Sequence, residues 1–313
     1  MLSDFRPADT PRLVELLQEN FPEEEELYGM RPEALVRIIH RIYRWDVRFA
    51  LVFMHTIGRP VFRFFTVEVD RRIVATTLVS YGRRASYLAM VMVDPAYRRR
   101  GYARQLLHAS IDSTRRARRP YVALDVLENN TTARRLYESE GFLPLRPMSI
   151  LVWTPPSDRR DPTARADPGI RPFRRSDAAP LVTIVNRSTP PEVAEVLPAS
   201  ARTLNPSGQL AALLASKTKV WVLDEGAGPV ALVFGTLSEG SDAGHLSNPI
   251  VADTANPVRV AALLSTALDW LTAGGAKRVV TQVPLSNRTG LAALEGGGFQ
   301  VVRELRTLYR PAS

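Results

Sequence analysis

Apolar positions fall along this chain in two alternating rhythms. Leu13, Leu16 and Leu17 recur at helical spacing, as do Leu35, Ile38 and Ile39, which predicts helices over about Thr10 to Asn20 and Pro32 to Tyr43. A first strand ends near Arg6-Pro7. Two further runs, about Val61 to Val69 and Ile73 to Tyr81, read as strands joined by Asp70-Arg71-Arg72. A fourth covers Ser86 to Val93, where Asp94-Pro95 stops it because proline lacks a donor and biases its predecessor away from helix. Helical spacing returns at Ala103, Leu106, Leu107 and Ile111, and a buried strand follows at Tyr121 to Val126. Glu128-Asn129-Asn130-Thr131 supplies a cap for a helix bearing Ala133, Leu136 and Tyr137, which Gly141-Phe142 ends. Met148 to Val152 returns as a final strand. Mixed strands with helices on both faces predict an α/β (α+β) domain built on a twisted mixed sheet.

The pattern then repeats. A shift of 157 residues aligns Leu106 to Leu151 with Leu263 to Leu308, and 12 of those 46 positions are identical, among them Val126/Val283, Asn130/Asn287, Glu138/Glu295, Gly141/Gly298 and Phe142/Phe299. Unrelated segments would share only a few positions, so the domain is duplicated. Phe5-Arg6-Pro7 and Ile170-Arg171-Pro172 open the two copies. Residues 154–169, rich in Pro, Asp and Arg and without apolar period, read as a linker between domains at 1–153 and 170–313.

With 313 residues, two domains can each bury a core without staples. There is no cysteine, which excludes disulfides, thiolate metal sites and a cysteine nucleophile. His40, His55, His108 and His245 lack metal-ligand spacing, so no metal is expected. No signal peptide and no spanning apolar run is visible, and the expectation is a soluble cytoplasmic protein without membrane partner. The net charge is +9, with 24 arginines against 18 acidic residues through Trp153 and 17 basic against 14 acidic beyond it. A basic chain raises nucleic acid as a partner. That reading ranks lower, because the arginine excess gathers at a motif with an anion of its own to bind.

That motif is Arg98-Arg99-Arg100-Gly101-Tyr102-Ala103, between the fourth strand and the following helix. Backbone N–H groups at a glycine-containing turn that opens a helix make an anion cradle. Gly101 lets a phosphate approach the main chain, and the arginines add charge and fork-shaped donors. The segment reads as a pyrophosphate site for a nucleotide-bearing cofactor; the competing reading is a solvated arginine loop.

The order strand, Arg98-x-x-Gly101-x-Ala103, helix, strand, Asn130-x-x-Ala133-x-x-x-Tyr137, Gly141-Phe142 resembles the GNAT superfamily of acyl-CoA-dependent N-acyltransferases, over roughly Leu88 to Phe142. The resemblance implies two tandem GNAT folds and acetyl-CoA as co-substrate. It implies a cleft where the fourth and fifth strands splay apart, with a backbone N–H between Met90 and Val93, Val91 and Val93 foremost, polarising the thioester carbonyl. Cofactor contacts then run through Val91, Met92, Val93, Arg98, Arg99, Arg100, Gly101, Tyr102, Ala103, Arg104, Asn130, Ala133 and Tyr137. Tyr137 occupies the place of the family's general acid, against the alternative of a core aromatic. Asn130 doubles as a helix cap. Many relatives carry a glutamate on the fourth strand; this strand has no carboxylate, so Glu68 on the preceding hairpin is the candidate substitute base, against the competing reading of a strand-edge surface charge, and a weakly basic or desolvated amine needs no strong base. The acidic run that holds Glu25 and Glu26, with Tyr28 nearby, lies where the family's acceptor binds and would draw a cationic amine. Met30 and Trp45 are candidates for an apolar wall beside them.

The repeat differs where that chemistry sits: Arg98 becomes Ala255, Arg100 becomes Pro257, Gly101 becomes Val258 and Tyr137 becomes Leu294. The second copy therefore reads as a degenerate half that packs on the first like one side of an internal dimer, the alternative being that it shapes the substrate site or binds some other ligand; a homodimer of the whole chain is a further expected partner. The expected function is an N-acetyltransferase acting from the first half by direct attack of a primary amine, on a small molecule, an aminoglycoside-like compound or a peptide. A non-catalytic acyl-CoA-binding or regulatory protein is the second reading.

Overall fold

A computed structural model describes residues 2–23, 27, 36, 61–156, 167–204 and 217–313. The predicted helix over Pro32 to Tyr43, and Glu25, Glu26, Tyr28, Met30 and Trp45, lie outside the described residues.

In the first half, strand β1 (Leu2–Asp4) leads into helix α1 (Thr10–Asn20). Strands β2 (Phe62–Val69), β3 (Arg72–Tyr81) and β4 (Ala85–Val93) then form an antiparallel meander. Helix α2 (Tyr102–Arg116) crosses over to β5 (Tyr121–Leu127), which pairs in parallel with β4. Helix α3 (Thr131–Ser139) and strand β6 (Leu143–Trp153) complete the set. The two faces of the sheet bury different helices. Leu106, Leu107 and Ile111 of α2 pack with Val122, Leu124 and Val126 of β5. Leu13 and Leu16 of α1 pack with Phe64, Leu78 and Met92 on the other side.

The second half repeats this order. Strand β7 (Ile170–Arg171) precedes helices α4 (Ala178–Ser188), α5 (Pro191–Val196) and α6 (Ala201–Leu204). Strands β8 (Lys217–Asp224), β9 (Pro229–Leu237), β10 (Ala243–Leu246) and β11 (Ile250–Val251) follow, then helix α7 (Pro257–Ala273), β12 (Arg278–Pro284), helix α8 (Arg288–Gly296) and β13 (Gln300–Pro311). The predicted α/β architecture of mixed strands flanked by helices is present, but its strands form one sheet and not two.

The halves do not keep their own last strands. Sheet order runs β1-β2-β3-β4-β5-β13-β6-β12-β10-β9-β8-β7. Thus β13, from the second copy, pairs with β5 of the first, and β6 of the first copy pairs with β12 of the second. The two exchanged strands pair with each other in the centre, around a local two-fold. The result is one continuous 13-stranded sheet, with β11 attached to β9 off the main path. β6 begins at Leu143, earlier than its sequence suggests, in spite of Pro144 and Pro147. Both prolines lie ahead of Met148, where the β12 ladder starts, so neither interrupts that ladder.

Candidate functional site

Strands β4 and β5 hold together only from Ala85/Tyr121 to Leu88/Leu124. Beyond that point β4 runs on to Val93 and β5 to Leu127 without pairing, and a wedge opens between them. A bulge marks the place. On β3 the ladder passes from Leu78 to Thr76, while on β4 it passes from Ala89 to Met92, so Met90 and Val91 stand against Thr77 alone. Met90 takes the left-handed conformation, with φ of 53°, and the Thr77 hydroxyl donates to the Ala89 carbonyl at 3.0 Å. A non-glycine residue at positive φ is uncommon and concentrates at functional sites. The bulge takes the Met90–Val91 segment out of the regular β3 ladder beside the wedge.

The three candidate donors of this segment do not stand alike. The Val93 N–H is engaged: it donates to Asn20 Oδ1 at 3.4 Å. Arg98 shares that acceptor through Nη2 at 3.2 Å. Met92 is fully buried on the α1 face and pairs with Thr76. Val91, in the bulge, is the one of the three outside the regular ladder register.

Asp94 fixes the turn that follows. Its carboxylate is buried, accepts from Arg12 and from Arg72 at 3.2 Å, and caps the Ala96 N–H at 2.9 Å. Gly101 then adopts φ of 83° and opens α2. Gly101 has no side chain with which to cap this 15-residue helix, so among the described residues its first N–H groups keep the orphan state of any helix start. The macrodipole adds partial positive charge at that end. Among the described residues a Cβ built on Gly101 would meet nothing within 4 Å, so none of their atoms crowds the cradle. What demands glycine here is the positive φ. Arg99 also sits at positive φ, 61°. Arg98, Arg99 and Arg100 are exposed, and Arg100 lies over the Tyr97 ring at 5.1 Å. Tyr102 and Ala103 form the helix start, with Tyr102 packed on the core beneath. Arg104 points elsewhere: with His108 it holds Glu140. Burial opposes ionisation of Glu140, but hydrogen bonds from His108 and Arg104 carry its pKa below the ordinary value.

Across the wedge, Asn130 caps α3 by accepting the Ala133 N–H at 3.1 Å. Tyr137, two turns on, is buried against Phe142, with ring centroids 5.9 Å apart. Gly141, at φ of 79°, turns the chain so that the Phe142 N–H closes onto the Tyr137 carbonyl at 3.0 Å. Burial raises the Tyr137 phenol to about 12, so the proton stays on at any working pH. Its hydroxyl makes no hydrogen bond among the described residues.

Glu68 is not brought to this group. It stands on β2, two strands from β4, at 3.8 Å from Arg6. Of the acidic run, Glu23 is described, and it pairs with Arg303 of β13 at 2.7 Å. The sequence reading missed three things here: Asn20 at the Val93 amide, Arg303 reaching Glu23 from the other copy, and Asp125. The last accepts from Thr307 at 2.6 Å, while burial first and then Asp125 hold the Tyr87 phenol well above its ordinary value. None of these has a local motif, because each joins residues far apart in the chain.

The second half has the same wedge, bridged on one side. Its β10 pairs with β12 only from Ala243/Arg278 to His245/Val280. There Asn287, the counterpart of Asn130, also caps its helix, but its Nδ2 donates to Asn248 Oδ1 and to the Pro249 carbonyl, both at 2.7 Å. That side chain closes the wedge. Helix α7 begins with a built-in cap: Asn256 accepts from the Val258 and Arg259 N–H groups.

Residues 11–142 match the family described as Acetyltransferase (GNAT) family. A tandem GNAT protein from the clavulanic acid biosynthesis pathway superposes with a TM-score of 0.65 at 14% identity, over 100% of this chain and 98% of that one. A GCN5-related N-acetyltransferase from Sphaerobacter thermophilus does so with a TM-score of 0.64 at 18% identity, over 100% and 95%. No curated protein matches by sequence. Among the described residues no cluster suited to a metal ion occurs, and no helix is long and apolar enough to cross a membrane.

Proposed function

The chain carries a GNAT-family acetyltransferase domain within a tandem GNAT fold, and from that premise we propose that it moves an acyl group from acetyl-CoA to a primary amine, working from the first half alone. The observation that carries the choice of half is the helix start: α2 is uncapped behind a left-handed Gly101, whereas α7 is capped by its own Asn256.

The residues of the first half suit the cofactor. The free N–H groups at Tyr102, Ala103 and Arg104 and the exposed Arg98, Arg99 and Arg100 would hold a pyrophosphate. Val91, Met92 and Val93 would line the pantetheine arm, with Asn130 and Ala133 opposite. The bound thioester supplies an activated acyl group. In this reading the Val91 amide is the oxyanion donor, because Val93 is already committed to Asn20. Tyr137 keeps its proton at about 12 and so acts on a sulfur as a hydrogen-bond donor. Holding the amine against the carbonyl supplies much of the remaining acceleration. Glu25, Glu26 and Tyr28 remain the proposed acceptor side. Glu68 fits the role of base less well, since nothing described places it against β4, and a desolvated amine that needs no strong base fits better.

The test is CoA binding by calorimetry. Wild type should bind one CoA per chain. Gly101→Val should weaken it at least 100-fold, because a β-branched residue resists φ of 83° and the helix start would shift to relieve it. Two equal sites, or unchanged affinity in the variant, would overturn the assignment. An amine panel scored by release of free CoA then separates a transferase from an acyl-CoA-binding protein.

A further inference from the structure

The local two-fold at the centre of the sheet puts Arg146 of β6 where Arg303 of β13 stands. The two are the same repeat position, and each meets its symmetry mate's neighbour across the ladder, Arg146 with Thr307 and Arg303 with Ile150. Arg303 faces the first half and is answered by Glu23. Arg146 faces the second half. The counterpart of Glu23 there follows from the helix starts. Asp9 accepts the Arg6 N–H as Asp177 accepts that of Arg174, Leu13-Val14 matches Leu181-Val182, and Pro22 matches Pro190. Glu23 therefore falls on Pro191, which carries no charge.

Among the described residues no carboxylate pairs with Arg146. Its recorded bond runs from Nε to Thr307 Oγ1 at 3.4 Å. Asp125 stands one hydroxyl further on, engaged by that same threonine and by Tyr87. Arg146 lines a cavity of about 60 Å³ together with Ser188, Thr189, Asn248 and Asn287. This is the wedge of the second half, and the reason it is hollow is plain. The same alignment puts Ser188 at the place of Asn20, whose amide reaches β4 in the first half, and serine is too short to reach Ile250. The Ser188 hydroxyl turns instead to the Val185 carbonyl. Asn287 seals the side through which a pantetheine would enter.

We propose that this cavity binds a small carboxylate, held in the Arg146 fork and by the Asn248 amide. The nearest described carboxylate, Asp125, is reached only through the Thr307 hydroxyl and also serves Tyr87, so this half-buried guanidinium lacks a directly paired carboxylate, and an anion that enters supplies one. The planar fork matches a carboxylate. Asn248 spends its oxygen on Asn287 and keeps its NH₂ as a donor. Among the described residues no acidic side chain lines the cavity to compete. The volume equals about two waters at roughly 30 Å³ each, so a carboxylate with a one- or two-carbon stem fills it. The inference concerns the second half and stands apart from the reading of the first.

The full chain is titrated with ¹³C-acetate against chloride at equal ionic strength, and saturation transfer to acetate is read by NMR. Wild type should show a saturable signal. Arg146→Gln removes the fork and should weaken it at least tenfold. Ser188→Asn restores the first half's residue, leaves charge and ladder in place, and should weaken it by a similar factor by filling the space. A signal that does not saturate, or an acetate affinity in Ser188→Asn within twofold of wild type, overturns the proposal.

Discussion

Helices α2 and α7 occupy the same position in two copies of one fold, yet their first turns face opposite tasks. The start of α2 has a left-handed glycine, no capping side chain and an arginine run before it; the start of α7 has Pro257, an Asn256 cap, and Arg259 tied to Asp167 at 2.7 Å. A helix that spends its N–H groups on its own cap gains roughly 1 kcal/mol of stability and loses an anion site. The duplicated asparagine shows the same trade. Asn130 caps and stops, while Asn287 caps and crosses the wedge. The two halves therefore differ less in framework than in where their polar groups find partners, inside the fold or in a ligand.

The largest expected effect comes from separating the halves. A fragment of residues 1–153 lacks β13, so β5 and β6 lose the strand that joins them. It should fail to fold, showing aggregation by gel filtration and loss of sheet signal by circular dichroism. A soluble, active fragment would show that the exchange is dispensable.

Tyr137→Phe tests the residue that Leu294 replaces in the other copy. The ring stays packed on Phe142 and the donor goes, so turnover should fall roughly 10- to 1,000-fold with CoA affinity kept. Unchanged turnover would reduce Tyr137 to a core aromatic.

His245 sharpens the comparison in the second half, where the first has Leu88. Burial lowers its pKa to about 4 from 6.5, and its ladder neighbours, Thr236 and Val280, carry no charge. The folded state thus binds fewer protons than the unfolded state between those values, and stability should fall as pH drops from about 6.5 to 4, by up to about 3 kcal/mol. His245→Leu should flatten urea midpoints across that window. An identical slope in the variant would place the acid sensitivity elsewhere.

The smallest effect separates the two asparagines. Asn130→Ala removes an exposed cap and should cost about 1 kcal/mol. Asn287→Ala removes a buried cap and two further hydrogen bonds, and should cost about 1 kcal/mol more while turnover stays intact. Equal losses by denaturant titration would mean that the bridge across the wedge contributes nothing.

Much of this was legible in the chain because it is local. The order of strands and helices follows from spacing, the duplication from Val126/Val283 to Phe142/Phe299, and the glycine at the start of α2 from its flanks. What was not legible depends on pairing across long separations. A repeat cannot say which copy of the last strand sits beside β5, since β6 and β13 carry equivalent patterns. Pro144 and Pro147 argue against a strand, and are tolerated because they precede the start of the β12 ladder. Asn20 reads as an ordinary helix end, yet its amide settles the fate of the Val93 donor. Glu68 looked suitable for its charge, and the ladder puts it two strands from where a base would be used.

The exchanged strand also sets a schedule. Residues 300–311 lie between β5 and β6 in the finished sheet, so the wedge between β4 and β5 cannot acquire its final support while the ribosome is still making the second half. The nascent first half must wait with β5 and β6 both exposing unpaired edges, the state most open to chaperones and to association with another nascent chain. A product broken off before that strand would keep those edges unpaired. In this architecture the sheet of the first half is complete only on a chain that carries its second copy.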